Sequence, residues 1–336
     1  MTLSDTLDRA RTDSVEFPTM LANHAPMVLV ALKRMGASEA RRAAWYEGYR
    51  ASHALPAPPP PVAPLTRATW TEALGDRSRE TDARAFFRAE VARMGVDACL
   101  RLYLPRLAPG MAGSALHPLM RLAYALIDGD APAVGDALGY WVCTYLAVPR
   151  AAGGPVTSDP VEVLAGVAAL PGVRDYRVEI DLLWKNIEAV SALPGFADLA
   201  GQMQPCPQAA RRMARAALAL YAGTMDFSAL HAVTGLHWLR LLRPHVDDPE
   251  ALYPQFWAVI AALVPKIGFP DLPCAETLAR LRALQAPDWP EIFATACASE
   301  DEHDISLTYS AAQEEAVWGD PLYRVVAARR VGLLPC

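Results

Sequence analysis

The stretch "FPTMLANHAPMVLVALKRMGA", residues 17–37, decides the class of fold. Met20, His24, Met27, Val28, Ala31, Leu32 and Met35 recur at the spacing of one helix face, and Gly36 ends the pattern. Pro26 suits a first helical turn, so His24 lies either on the apolar face or just before the helix begins. The same period repeats outward. "SEARRAAWYEGYRASH" (38–53) reads as a second helix and runs into "ALPAPPPPVAPL" (54–65), a polyproline II spacer that excludes helix and central strand. Four more helices follow over "DARAFFRAEVARMG" (82–95), "VDACLRLYLPRLAPG" (96–110), "HPLMRLAYALIDGD" (117–130) and "AVGDALGYWVCTYLAV" (133–148).

Beyond the loop "PRAAGGPVTSDP" (149–160), helices are expected over 177–193, 207–223, 227–242, 253–264, 274–285 and 290–299, with a closing helix through Ala327. Strict alternation of β-branched residues is nearly absent, and Ala and Leu dominate. The expected fold is therefore all-α: a single large multi-helix domain over 1–336, either undivided or in two helical subbundles around a central pocket, with 149–160 as the candidate boundary.

Composition removes several function classes. The chain has 336 residues, is 53% hydrophobic and carries a net charge of −6 with no basic stripe, so nucleic acid is not an expected partner. No apolar run approaches the roughly 20 residues of a bilayer span, and "MTLSDTLDRARTDSVEF" has no apolar signal core. A cytoplasmic protein without a membrane partner is expected. Six cysteines, Cys99, Cys143, Cys206, Cys274, Cys297 and Cys336, show no C-x-x-C spacing and read as reduced thiols. There is no G-x-G-x-x-G after a strand, no P-loop, no G-x-S-x-G and no H-E-x-x-H.

What remains is a set of histidines in apolar company. His117 precedes Pro118 and should sit at the mouth of its helix, as His24 does before Pro26. There the positive end of the helix dipole disfavours imidazolium, and neutral imidazole is the form that binds a metal. His117, Arg121, Tyr124 and Asp128 form one polar stripe, either facing solvent or lining an internal pocket. His231 and His237 are six apart and point to different sides of one helix, so a regular helix cannot present both to one ion. His53 and His245 read as surface residues. In "SEDEHDIS" (299–306), His303 stands among acidic residues that suit a helix N-terminus; Glu300-x-x-His303 matches half of a diiron pattern whose second copy is missing.

Five segments together resemble the questin oxidase-like family: "LANHAPMVLVALKRMGA", "HPLMRLAYAL", "ALGYWVCTYLAVP", "LHAVTGLHWLRLL" and "DEHDISLTYSAAQEEAVWGDPLYRVVAA", in that order. The family is associated with oxygen-dependent transformations of aromatic polyketides, including anthraquinone ring opening. Some members are described as NADPH-requiring Baeyer–Villiger-type oxidases, others as non-heme iron dioxygenases that use several histidines and a carboxylated lysine. The resemblance implies His24, His117, His231 and His303 as ligands of Fe(II) or another transition metal, with His237, Glu302 and Ser306 as supporting or alternative groups. Many relatives carry a second histidine where this chain has Tyr124, and a lysine where it has Ser306.

The expectation is thus an oxidoreductase acting with dioxygen on a small aromatic, polyketide-derived substrate of secondary metabolism. Arg121 would hold an anionic substrate group and Tyr124 would relay a proton. Tyr140, Trp141 and Trp238 would supply apolar walls. Two alternatives stand beside it: an NADPH-dependent Baeyer–Villiger-type oxidase without bound metal, and a non-catalytic helical small-molecule-binding protein. Convergence of the four imidazoles in the folded chain is what separates them.

Overall fold

Several helices begin where a side chain satisfies the free backbone N–H groups of the first turn. Ser38, Asp130, Asp159, Asp226, Asp288 and Asp301 all accept such bonds, and prolines occupy the first turns of several helices. The computed structural model describes residues 3–206 and 208–335. Its elements are α1 (Leu3–Ala10), α2 (Ala25–Arg34), α3 (Glu39–His53), α4 (Glu80–Met94), α5 (Val96–Leu107), α6 (His117–Asp128), α7 (Ala131–Cys143), α8 (Pro160–Gly166) and α9 (Leu183–Ser191). They continue with α10 (Phe196–Gly201), α11 (Ala209–Thr224), α12 (Phe227–Leu242), α13 (Leu252–Ile267), α14 (Ala275–Arg282), α15 (Trp289–Ala298), α16 (Glu302–Trp318) and α17 (Leu322–Arg330). Among the described residues there is no strand, only isolated bridges, so the fold is all-α.

Three short helices, α1, α8 and α10, go beyond the periodicity of the sequence. The expected helix over 177–193 starts only at Leu183, because residues 177–182 run as an irregular segment. The expected helix over 133–148 ends at Cys143, where the chain turns out to pair Leu146 with Met111. The closing helix is two: Gly319 takes a left-handed φ of 71° and Asp320-Pro321 restarts the chain as α17.

Four helices frame the site. α2 packs on α6, α6 on α12, α12 on α16, and α16 back on α2, closing a ring. α12 is its apolar spine, with thirteen of its residues buried, and α11 and α13 cover its outer side. Helices from either side of 149–160 therefore share one core, and the loop itself is tied down by Ala151 N–H donating to Ala197 O at 2.8 Å. The proline tract crosses the start of α4, where Asp82 accepts from the backbone N–H groups of Val62 and Ala63 at 3.0 and 3.1 Å.

Among the described residues no helix is long and apolar enough to cross a membrane. Cys99 and Cys143 are buried, while Cys206, Cys274 and Cys297 are partly or fully exposed; Cys336 of the expected thiol set lies outside the described residues.

Candidate metal centre

His24 caps the start of α2, and its backbone N–H donates to the Tyr49 hydroxyl of α3 at 3.0 Å. His117 is the first residue of α6, His231 lies in the second turn of α12, and His303 is the second residue of α16. The ring of four helices thus brings four N-terminal ends to one place. The imidazoles follow: ring centroids are 4.6 Å apart for His24 and His117, 5.9 Å for His117 and His231, 6.3 Å for His231 and His303, and 5.1 Å for His303 and His24.

Each ring is held by the same atom. Nδ1 of His24 faces Ala22 O at 3.0 Å, Nδ1 of His231 faces Phe227 O at 3.0 Å, and Nδ1 of His117 faces Ser114 O. Nδ1 of His303 faces Asp301 Oδ1 at 3.2 Å. Carbonyl and carboxylate oxygens only accept, so every Nδ1 carries a proton, and on the buried rings of His24, His117 and His231 Nε2 keeps its lone pair. Burial, joined by the other imidazoles of the cluster, pushes His24 well below the usual histidine range, His117 to about 4 and His231 to about 3. Asp301 is held down to about 2, chiefly by its hydrogen bond from His303, and Arg330 anchors its other oxygen at 2.7 Å.

The Nε2 atoms of His24 and His117 stand 2.8 Å apart. With both Nδ1 atoms protonated, two lone pairs meet in a buried place, and burial keeps a proton from bridging them near neutral pH. Two donors on one ion, at bonds of about 2.0–2.1 Å and at right angles, are about 2.9 Å apart. The spacing of the His24 and His117 Nε2 atoms fits two donors on one divalent transition metal. Glu302 brings a carboxylate to the same place, on the Nδ1 side of two rings: its Oε1 lies 3.8 Å from His24 Nδ1 and 3.9 Å from His303 Nδ1, and a ring nitrogen of His24, a Glu302 oxygen and a ring nitrogen of His303 lie within 4.8 Å of one another, a grouping that does not extend to His117 or His231. Asp226, Asp301, Glu302 and Asp304 also offset the positive ends of the α12 and α16 dipoles.

The four histidines and Glu302 line a cavity of about 220 Å³. Its walls are Phe17, Leu182, Trp184 and Phe227, and its lip includes Leu21 and Phe227, both exposed. His53 joins the lining, stacked on Phe17 at 5.1 Å, although it is the last residue of an exposed helix end and read as plain surface. Among the lining residues there is no lysine or arginine.

Arg121 and Tyr124 do not share this cavity. One and two turns along α6 from His117, they have left the end where the rings meet, and line a separate space of about 30 Å³. Arg121 donates to Asn23 O at 3.0 Å and lies over the Tyr140 ring. Trp141, Trp238 and Tyr140 are likewise absent from the lining. His237 is buried with Nδ1 at 3.0 Å from Ser310 Oγ, remote from the cluster. Tyr124 and Ser306, where the chain departs from the pattern of its relatives, meet each other: Ser306, Ser310 and Trp238 surround the Tyr124 hydroxyl, yet the polar atoms of Tyr124, Ser306 and Trp238 are buried without a well-aligned hydrogen bond. The three lysines pair with Asp128, Glu188 and Asp181, so none reaches the cluster.

The support under His117 is unusual. Ser114, Ala115 and Leu116 have φ of 46°, 52° and 72°, three consecutive non-glycine residues in the left-handed region, each costing about 1–2 kcal/mol. Gly113 lets this turn press on α7, since a Cβ there would lie 2.2 Å from Thr144 O. Ser114 Oγ donates to Glu16 Oε1 at 2.5 Å and accepts from the Tyr140 hydroxyl at 2.7 Å. Nothing in "GSAL" signals such a turn.

A family model described as Questin oxidase-like matches residues 21–311 of the chain, a span that contains all four histidines. No curated protein matches it.

Proposed function

We propose, from the premise that the chain belongs to the questin oxidase-like family, that it holds Fe(II) on His24, His117, His231 and His303 and oxidises a small aromatic molecule with dioxygen, by oxygen insertion or ring cleavage. Membership supports an oxidoreductase acting on aromatic, polyketide-derived compounds. The observation that carries the metal reading is the 2.8 Å approach of the Nε2 atoms of His24 and His117, on buried rings whose Nδ1 atoms both face carbonyl oxygens. Bound there, Fe(II) supplies the one-electron chemistry and the affinity for dioxygen that side chains lack.

The residues do the rest. Ala22 O, Ser114 O, Phe227 O and Asp301 fix the tautomers, so that the donor atoms are ready before anything binds. Phe17, Trp184 and Phe227 hold an aromatic ring by its faces and exclude water. Glu302, the carboxylate in the lining, takes the proton of a phenolic substrate as it settles.

Metal analysis of protein purified without a polyhistidine tag tests the reading. The expected result is a stoichiometric transition metal, or its uptake on anaerobic addition of Fe(II). Less than about a tenth of an equivalent, with no gain on that addition, would sink it.

A further inference from the structure

We propose that Glu16 is a positioning residue for His117: it anchors the left-handed turn whose carbonyl fixes the His117 tautomer, and so aims Nε2 at His24. Glu16 lies in the segment before α2, pairs its backbone with Ala22 ahead of His24, and is buried. Its two oxygens have separate duties. Oε1 accepts from Ser114 Oγ, and Oε2 accepts from Arg77 Nε at 2.7 Å. Arg77 in turn lies over the indole of Trp184, 4.5 Å from its centre, and Trp184 is a wall of the cavity. One carboxylate therefore joins a donor histidine's backbone support to the surface against which a substrate packs.

The turn needs such an anchor. Ser114 to Leu116 occupy a conformation that their side chains disfavour, and it persists only where its surroundings over-determine it. Ser114 is the one residue of the three with a side-chain hydrogen bond, and both of its bonds meet at Glu16 and Tyr140. Releasing Ser114 frees its carbonyl to rotate, and with it the reason for the proton to stay on His117 Nδ1. A carboxamide gives up the charge that pairs with Arg77, and its NH2 can face Ser114 only if that hydroxyl stops donating to residue 16 and accepts instead.

The inference rests on the metal reading for its consequence but not for its geometry, and the experiment separates the two. Glu16→Gln and Ser114→Ala are compared with wild type in two measurements: anaerobic Co(II) titration followed by visible absorption, and the 15N shifts of the His117 ring in metal-free protein, assigned with His117→Asn. Gly223→Ala, whose Cβ would press on Pro273 far from the site, serves as a control for general destabilisation. Expected are an apparent Co(II) Kd about 10–100 times weaker in both variants, loss of the pure Nδ1–H pattern in the metal-free protein, and no change in either for the control. If Glu16→Gln fails to fold, Ser114→Ala decides alone. If wild type binds no Co(II), the metal reading falls and the tautomer measurement decides. Variants that keep the Nδ1–H tautomer and bind within twofold of wild type overturn the proposal.

Discussion

Asp301 divides its carboxylate between two tasks. Oδ1 accepts from His303 N–H at 2.8 Å, capping α16, and faces His303 Nδ1 at 3.2 Å, while Arg330 holds Oδ2. Asparagine caps helices almost as well as aspartate but cannot pair as a charge with Arg330, so Asp301→Asn should still fold, with a modestly lowered unfolding temperature, and bind Co(II) about 10–100 times more weakly. Calorimetry beside a metal titration checks this, and unchanged affinity would refute the role given to the carboxylate. His303→Ala removes a donor outright, and metal content should fall to background while a neighbouring change, Glu300→Ala, leaves it intact; equal metal in both would exclude His303 as a ligand. Prolines at 26 and 118 place His24 and His117 at helix mouths in the sequence, and the acidic cluster marks a helix start at His303, but the grouping of the four histidines comes from the family resemblance and not from their spacing. The cavity walls have no such marker. Phe17, Leu21 and Leu182 sit in connecting segments without a period, and His53 reaches the site only because the end of α3 leans on Phe17. Spacing put Arg121 and Tyr124 on the His117 stripe, but a stripe runs the length of a helix whereas a site occupies one end of it.

At the scale of elements, the closest helix pair is α4 on α7. A Cβ on Gly139 would lie 2.6 Å from Arg84 N, and one on Gly135 would lie 2.7 Å from Arg88 N, both backbone atoms that cannot swing aside. Gly139→Ala should therefore destabilise the protein by about 1–3 kcal/mol, read from urea unfolding; a midpoint within error of wild type would show that the pair has slack. The long helices were legible because each carries an apolar face plus a cap or a glycine stop. The short ones were not, since six to eight residues give too few repeats to define a period. The break between α16 and α17 did have a signal, the Gly-Asp-Pro at 319–321, overridden by the continuous apolar periodicity on either side. The order of the four framing helices around their ring has no local signature at all, because it is set by packing between segments distant in the chain.

The whole molecule stores buried neutral imidazoles. Burial takes His237 to about 3, as it does His231, and His117 to about 4, against 6.5 for an unfolded histidine. Below pH 6.5 the unfolded chain takes up protons that the fold refuses, so their contribution is full above that pH and is lost as pH falls toward 3. The unfolding temperature of metal-free protein should drop over this window, and His237→Gln, outside the cluster, should shallow the drop; an unaltered slope would show that His237 charges within the fold. The exposed glycines of the loop at 149–160 lead to a different outcome. A break between Gly153 and Gly154 divides the four donors equally, His24 and His117 on one piece, His231 and His303 on the other, across a core that both pieces share. If the four histidines hold a metal as proposed, the halves, produced together, should copurify and regain Co(II) binding that neither shows alone, turning reassembly of the chain into a colour; halves that copurify without binding Co(II) would count against the site.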